Sequence, residues 1–515
     1  MISYAYTAGL FGIDGYEITV ECHSDNKLSS FEIVGLPDNA VKEAKERVRA
    51  AAVNSMLPFP DKEILVNLAP ADKPKEGSAF DVAILVSILL NIGAIENPKF
   101  AKDSCFIGEL SLSGKIRKVK GALCMALAAK KAGKKRIFVP KENAREVSVV
   151  SGIDVFAAGD ICDIVEHFSG NAPLTPVTYD KEQEEMQMAY PDFKDVLGQR
   201  GAKRAAEIAA AGGHNMLLIG PPGTGKSMIA KRIPSILPEM SFDESLETTK
   251  VHSISGILPE DISLIRQRPF RSPHHTMSAP SLVGGGRIPV PGEVSLANNG
   301  VLFLDELPEF SRSVTESLRQ PLEDGKITIT RTLGRLTYPC SFMLVCAMNP
   351  CKCGYYGHPT KECTCKSADI KKYISKISGP LLDRIDIQIE VPSLSYKEMA
   401  STDVPESSEV IRQRVNDARK IMEKRFTNDF KENGAKITCN AQMEAKHIRK
   451  YCKLNEECST LMEQAYTTLG LSARGHDRIL RLARTIADLG ASEEITVMHL
   501  AEAIQLRGLD KKYFK

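Results

Sequence analysis

The sequence predicts an α/β protein of several domains that ends in a helical segment, and three observations carry the prediction. Short strand-like runs alternate with alanine-rich helical stretches in the first third of the chain. A glycine-rich loop stands between an apolar run and a helical one near the middle, and apolar residues recur every three or four positions after Pro392. A chain of 515 residues is long enough for several separate cores. Its 43% apolar and 26% charged content is that of a globular protein, and 67 basic against 65 acidic residues leave a formal charge of +2. That balance supplies no global field for nucleic acid, so any such attraction is local.

In residues 1–168 the runs "EIVG", "EILVNLAP", "RIFVP" and "DVFAAG" read as strands, with helices over Asn39–Ser55 and Gly121–Ala132. The opening residues have no basic stretch ahead of their apolar ones and do not read as a signal peptide. Ala79–Ile95 is the most apolar stretch, but it is short for a membrane span and carries Asp81 and Asn91, so a buried helix is expected. Thirteen cysteines in a long chain without secretory features point to the cytoplasm, where disulfides rarely persist. Residues 169–193 begin with prolines and continue as an acidic polar run, which reads as a linker. Residues 194–392 resume the alternation: "GQRGAKRAAEIAAAGGHN" is a glycine-ended helix, and "MLLIG", "GVLFLDEL", "SFMLVCAMN" and "IDIQIEV" are strands of a mostly parallel sheet. Residues 393–515 are expected to be helical, on the apolar recurrence in "AQMEAKHIRKYC", "STLMEQAYTTLG" and "GHDRILRLARTIADLG".

Gly220, Pro221, Pro222, Gly223, Thr224, Gly225, Lys226 and Ser227 form a phosphate loop in its expected setting, after a strand and before a helix. Glycines let successive amides curl around phosphates, and the helix N-terminus adds a positive dipole end. Lys226 is expected to reach the β and γ phosphates of ATP, and Ser227 to hold Mg2+. In "VLFLDE" an apolar strand delivers Asp305, to complete the magnesium environment, and Glu306, to orient and deprotonate the attacking water. Asn349, at the end of the next strand, can polarise that water or touch the γ phosphate. Arg384 in "GPLLDRIDI" reads as an arginine finger projecting into a neighbouring subunit, which makes hydrolysis depend on a ring; a salt-bridge role is the alternative. Arg474 is the candidate to reach back to the phosphates and sense ATP, with Arg478 competing for that role.

Cys351, Cys353, Cys363 and Cys365 form Cys-x-Cys, nine residues, then Cys-x-Cys. Four thiolates can surround Zn2+ tetrahedrally, although two-residue gaps are the more usual spacing, and His358 can replace one of them. Reduced structural cysteines, an iron–sulfur cluster or a disulfide are the alternatives. Cysteines such as Cys22, Cys124 and Cys346 sit among apolar residues and read as core packing.

The phosphate loop with "PGEVSLANNGVLFLDELPEF", "AMNPC", "SGPLLDRIDI" and "LARTIADL" resembles the magnesium-chelatase-like AAA+ ATPases of the YifB/ComM family over nearly the whole chain. The resemblance implies an AAA+ ATPase core with a helical C-terminal lid, using ATP and Mg2+. It also implies a hexameric, DNA-stimulated helicase that promotes branch migration as transforming DNA is integrated, with single-stranded or branched DNA and recombination proteins as partners and no membrane. A chelatase-type ATPase and a partner-dependent remodelling ATPase stand as alternatives. The clade carries inserts in its core. Here Phe270, Arg271, His274, His275, Gly284–Gly286 and Arg287 read as a mobile pore loop, or else as a subunit contact or lid. "DGKITITRTLGRLTYPCSFML" reads as a hairpin carrying Arg331 and Arg335, whose alternation lets basic and hydroxyl residues track a phosphate backbone. The N-terminal domain resembles the C-terminal fold of Lon protease (ribosomal protein S5 domain 2-like), on "NLAPADKPKEGSAFDVAILVSILL" and "FIGELSLSGKIRKVKGALCMALAAKKAG". That likeness puts Ala79 and Leu123 where a serine–lysine dyad belongs, with Ser78 and Lys120 nearby, so proteolysis is expected to be lost. Lys73, Lys75, Lys115, Arg117, Lys118 and Lys120 are expected to supply local charge for gripping DNA, or simply solubility.

Overall fold

Two long antiparallel strands, Ile2–Phe11 and Asp14–Asp25, open the chain and turn at Gly12. Strand Glu63–Ala69 pairs with the second of them, and Ser30–Val34 completes the four-stranded sheet in parallel with Glu63–Ala69. Ala8, Ile18, Val20, Val66 and Leu68 turn inward, one side of the pleat. Against them pack Asn39–Asn54, capped by Asp38 accepting from the Val41 amide at 2.8 Å, and Asp81–Asn91, buried from Asp81 through Leu89. The apolar stretch expected as a buried helix is one. Its buried Asp81 is held by a two-point bond from Arg47, at 2.7 and 3.0 Å. A parallel sheet of Ser104–Phe106, Arg136–Pro140 and Asp154–Ala158 continues the same core, which runs from Ala5 to Ile164.

The computed structural model describes residues 2–95, 98–179, 190–286, 289–331, 334–358, 360–394, 398, 405–433, 437–509 and 513. Residues 180–189 of the expected linker lie outside them. Its last residues are no linker: Phe193 is fully buried, and Asp192 accepts from the Ser408 amide at 2.8 Å, which ties this point to the helical C-terminal part.

A five-stranded parallel sheet follows, in the order Phe270–Arg271, Val301–Leu304, Met343–Met348, Met216–Ile219, Ile387–Glu390. The middle three strands are buried at every residue, as a parallel sheet covered on both faces requires. Met216, Leu218, Phe303 and Val345 face a core shared with the C-terminal helices. Leu217, Ile219, Leu304 and Cys346 face a second core under residues 282–385. The C-terminal helices include Ser408–Asn433, Ala445–Tyr451, Glu456–Leu469, Ala473–Leu489 and Val497–Gln505. Arg425, Arg484 and Asn440 all donate to buried Asp488, which fastens Ala473–Leu489 to its neighbours.

Several expectations are corrected here. Phe270 and Arg271 are no mobile loop: they form the edge strand of the sheet, the Phe270 ring stacked on Phe303 at 5.9 Å and Arg271 bonded twice to Glu293. Gly284–Gly285 pairs with Val290–Pro291, and Arg287 lies outside the described residues. Of the basic residues expected to supply local charge in the N-terminal part, Lys73, Lys115, Arg117, Lys118 and Lys120 are exposed and Lys75 is not. Lys75 is fully buried with its ammonium on the Pro70 carbonyl, Lys73 lies over the Tyr16 ring, and Lys118 bonds Leu258 and Glu260 of the ATPase part.

Candidate nucleotide site

The loop Gly220–Gly225 leaves the C-terminal end of the central strand Met216–Ile219 and runs into the helix Lys226–Ala230. Its sharp course depends on Gly223 and Gly225, whose φ values of +78° and +91° favour glycine. Lys226 is 8% exposed and donates to the Gly220 and Pro221 carbonyls at 2.7 and 2.8 Å and to Asn349 Oδ1 at 3.1 Å. Burial lowers its pKa to about 8, against the opposing pull of Asp305 and Glu306. The Ser227 hydroxyl donates to Asp305 Oδ2 at 2.7 Å, and the Glu306 amide donates to Asp305 Oδ1 at 3.0 Å. One hydroxyl and one carboxylate make the all-oxygen donor set that Mg2+ takes. Lys226, Ser227, Asp305, Glu306 and Asn349 thus line one cavity of about 370 Å³.

Arg384, expected at a neighbour's site, and Arg474, expected at its own, do not line this cavity. Arg384 and Arg474 line a different cleft, of about 820 Å³, together with Arg478 and Arg481. The reading of Arg474 as reaching its own chain's phosphates is therefore corrected. Of the two competing arginines, Arg478 is mostly buried with its Nε 3.6 Å from Asp386, whereas Arg474 is exposed on the cleft. Arg384 donates to the Pro380 carbonyl at 2.6 Å and pairs with Glu323.

Two residues that sequence reasoning did not place here approach the site. His275 Nδ1 lies 3.7 Å from Glu306 Oε2, beside the candidate catalytic carboxylate. Glu306 itself has φ +53°, a backbone setting uncommon for residues with side chains. Gln199, just ahead of the helix Arg200–Gly212, props the loop by donating to the Thr224 carbonyl at 3.2 Å and the Pro392 carbonyl at 2.7 Å. A glutamine beside a glycine carries no sequence signal for that task; His275 stood out only as one of a histidine pair.

The sulfurs of Cys351, Cys353, Cys363 and Cys365 lie within 4.8 Å of one another, a group able to hold a metal ion. His358 does not join them: its Nε2 meets Ser393 at 3.1 Å and its Nδ1 accepts from the Thr360 and Lys361 amides. Cys22, Cys124 and Cys346 are buried, as expected of core residues.

The expected hairpin is present, with Lys326–Arg331 paired to Gly334–Pro339. Ile327, Ile329 and Tyr338 are buried on one face, while Lys326, Thr330, Arg335 and Thr337 are exposed on the other. The Arg331 side chain lies outside the described residues. In the N-terminal part, Ala79 and Leu123 are buried, and Ser78 donates to Glu109.

Comparison with known proteins is consistent along the chain. Residues 192–399 match the model described as magnesium chelatase, subunit ChlI; residues 20–143 match subunit ChlI of Mg-chelatase; and residues 405–507 match its C-terminal part. Competence protein ComM of Haemophilus influenzae is 41% identical over 514 residues, covering 99% of this chain and 98% of that protein. The uncharacterized protein YifB of Escherichia coli is 42% identical over 513 residues, with the same coverage. Lon protease homolog 2, peroxisomal, of Oryza sativa is 27% identical over 142 residues, 25% of this chain and 16% of that protein. With identity above 40% sustained from end to end and a phosphate loop closed by Asp305 and Glu306, the chain belongs to the magnesium-chelatase-like AAA+ ATPases of the ComM/YifB family, enzymes that bind and hydrolyse ATP.

Proposed function

We propose that the chain is one subunit of a hexameric ring that hydrolyses ATP with Mg2+ to drive DNA branch migration in homologous recombination and natural transformation. The observation that carries the ring is the separation of charges. Lys226, Ser227, Asp305, Glu306 and Asn349 face one cavity while Arg384 and Arg474 face another, so the positive groups that complete the γ-phosphate environment come from the next subunit. In this scheme Lys226 holds the phosphates, Ser227 and Asp305 hold Mg2+, Glu306 deprotonates water and Asn349 orients it. The hairpin supports DNA as the target, since its exposed face carries lysine, threonine and arginine at a strand's spacing and a ring repeats it around a pore. The name of the Haemophilus influenzae relative, a competence protein, points the same way.

The division of labour follows the domain reading: 1–168 as a Lon-like α/β domain without its protease dyad, 169–193 as linker, 194–392 as ATPase core and 393–515 as lid. No described helix is long and apolar enough to cross a membrane. The thirteen cysteines, all free among the described residues, support the cytoplasm as the place of work. A second reading, a chelatase-type or partner-dependent remodelling ATPase, is favoured by the three matches to models of the chelatase subunit. A synthetic four-way junction separates the two. The motor reading expects ATP- and Mg2+-dependent migration by the unmutated protein, lost in Lys226→Ala and Glu306→Gln. A folded ring that hydrolyses ATP yet leaves the junction intact moves the assignment to the second reading.

A further inference from the structure

The cysteine group is built more closely than a chance meeting of thiols. Cys351 Sγ lies 3.3 Å from Cys353 Sγ and 3.7 Å from Cys363 Sγ, and Cys353 Sγ lies 3.6 Å from Cys363 Sγ. Sulfurs about 2.3 Å from a central ion sit at the corners of a tetrahedron with edges of about 3.8 Å. The three distances, with Cys365 Sγ within 4.8 Å of the rest, suit ligands around one ion and are too tight for a four-iron cube, which holds its thiolates apart on outer corners. A backbone amide aims at the same group: Tyr356 donates to Cys351 Sγ at 3.3 Å. Such a donor fixes the orientation of a ligand sulfur.

The position of the group gives it a mechanical link to the nucleotide site. Cys351 follows Asn349 by two residues, and Asn349 Oδ1 is the side-chain acceptor of Lys226. Gly354, between the first cysteine pair and Tyr355, lies so close to the phosphate loop that a Cβ there would stand 2.6 Å from Pro222 Cδ. On the other side, Cys365 leads into the helix Ser367–Ile374, whose Ile370, Tyr373 and Ile374 share one apolar core with Cys351 and Met348. One ion at this point joins the strand end carrying Asn349, the wall of the phosphate loop and the segment that runs on to Arg384.

We propose that Cys351, Cys353, Cys363 and Cys365 hold one structural Zn2+, and that this ion braces Pro222 and Asn349 so that nucleotide binding depends on it. Binding releases the thiol protons and involves no redox step. The zinc site stands on sulfur geometry alone; the coupling rests on the reading of Gly220–Ser227 as the ATP site. The test uses the full chain purified under reducing conditions without chelator, with metal content by mass spectrometry, alkylation of the native thiols, and affinity for a fluorescent ATP analogue. Cys365→Ser, at a partly exposed ligand, is compared with Cys365→His, which restores a fourth donor and controls for misfolding. Zinc at one ion per chain is expected in the unmutated protein and in Cys365→His, with the four cysteines protected from alkylation. Cys365→Ser is expected to lose the metal and about tenfold in nucleotide affinity. Iron in place of zinc, disulfides among the four, or a metal-free chain whose four thiols alkylate at once overturns the site. Loss of zinc with nucleotide affinity unchanged overturns the coupling. A zinc-loaded, folded protein that binds no nucleotide strikes the ATP-site reading, and the coupling with it, but leaves the metal site standing.

Discussion

At the scale of single residues, the roles proposed for Lys226 and Glu306 separate binding from chemistry. Lys226→Ala removes the ammonium meant for the phosphates and is expected to abolish binding of a fluorescent ATP analogue. Glu306→Gln keeps the cavity and is expected to bind normally while turnover falls about 10² to 10⁴-fold, read by phosphate release. The lowered pKa of Lys226 adds a pH signature. Above about 8 the buried amine in the empty site is neutral, and ATP must bring a proton with it, so affinity is expected to fall there. Calorimetry in two buffers of different ionisation heat should show about one proton taken up near pH 9. For folding the sign is the reverse. Between about 8 and the ordinary lysine value near 10.4 the unfolded chain binds more protons, so this group's cost to stability shrinks as pH rises through that window. His275→Ala is expected to lower kcat roughly tenfold to a hundredfold with little change in KM, if its approach to Glu306 positions that carboxylate; an equal rise in KM speaks against positioning. The residues with a fixed chemical spacing, Gly220 to Ser227 and the pair Asp305 and Glu306, were legible in the sequence. Gln199 and His275 come from stretches without period or motif, and only folding brings them near.

At the scale of elements, the long apolar strands and amphipathic helices were legible because one period runs through each of them. The opening hairpin was not, since Ile2–Phe11 alternates Tyr, Ala and Thr with only a partly buried face. The edge strand Phe270–Arg271 is too short to show alternation at all. The cysteine turn yields a sharp expectation. Gly354 combines φ +86° with the Pro222 contact, so Gly354→Ala adds a strained backbone and a clash with a rigid ring. A loss of about 1–3 kcal/mol in thermal unfolding is expected, together with weaker nucleotide binding; an unchanged melt and affinity speak against a close fit between the turn and the loop.

At the scale of the whole molecule, the N-terminal part leans on the ATPase part through the helix Phe242–Ser255 and the turn beyond it: the Gly121 amide donates to the Ser253 carbonyl at 3.1 Å, and Arg145 donates to the Asp261 carbonyl at 3.2 Å. Sequence could not tell whether Arg474 serves its own phosphates or a neighbour's, because that depends on how the lid packs, not on local pattern. Mixing subunits tests the neighbour scheme. Arg384→Ala and Lys226→Ala chains, each inactive alone with losses of about 10³-fold or more, are expected to regain part of the ATPase rate when combined, because some junctions then join an intact loop to an intact arginine. No recovery in mixed rings, verified by mass, removes that scheme. The pairing of Arg384 with Glu323 then acquires a meaning for the cell. In the neighbour scheme we propose, a solitary subunit keeps this guanidinium engaged by its own carboxylate, and newly made chains are expected to stay idle in an ATP-rich medium until a partner's triphosphate, more highly charged than one glutamate, draws the arginine away; assembly would itself be the ignition.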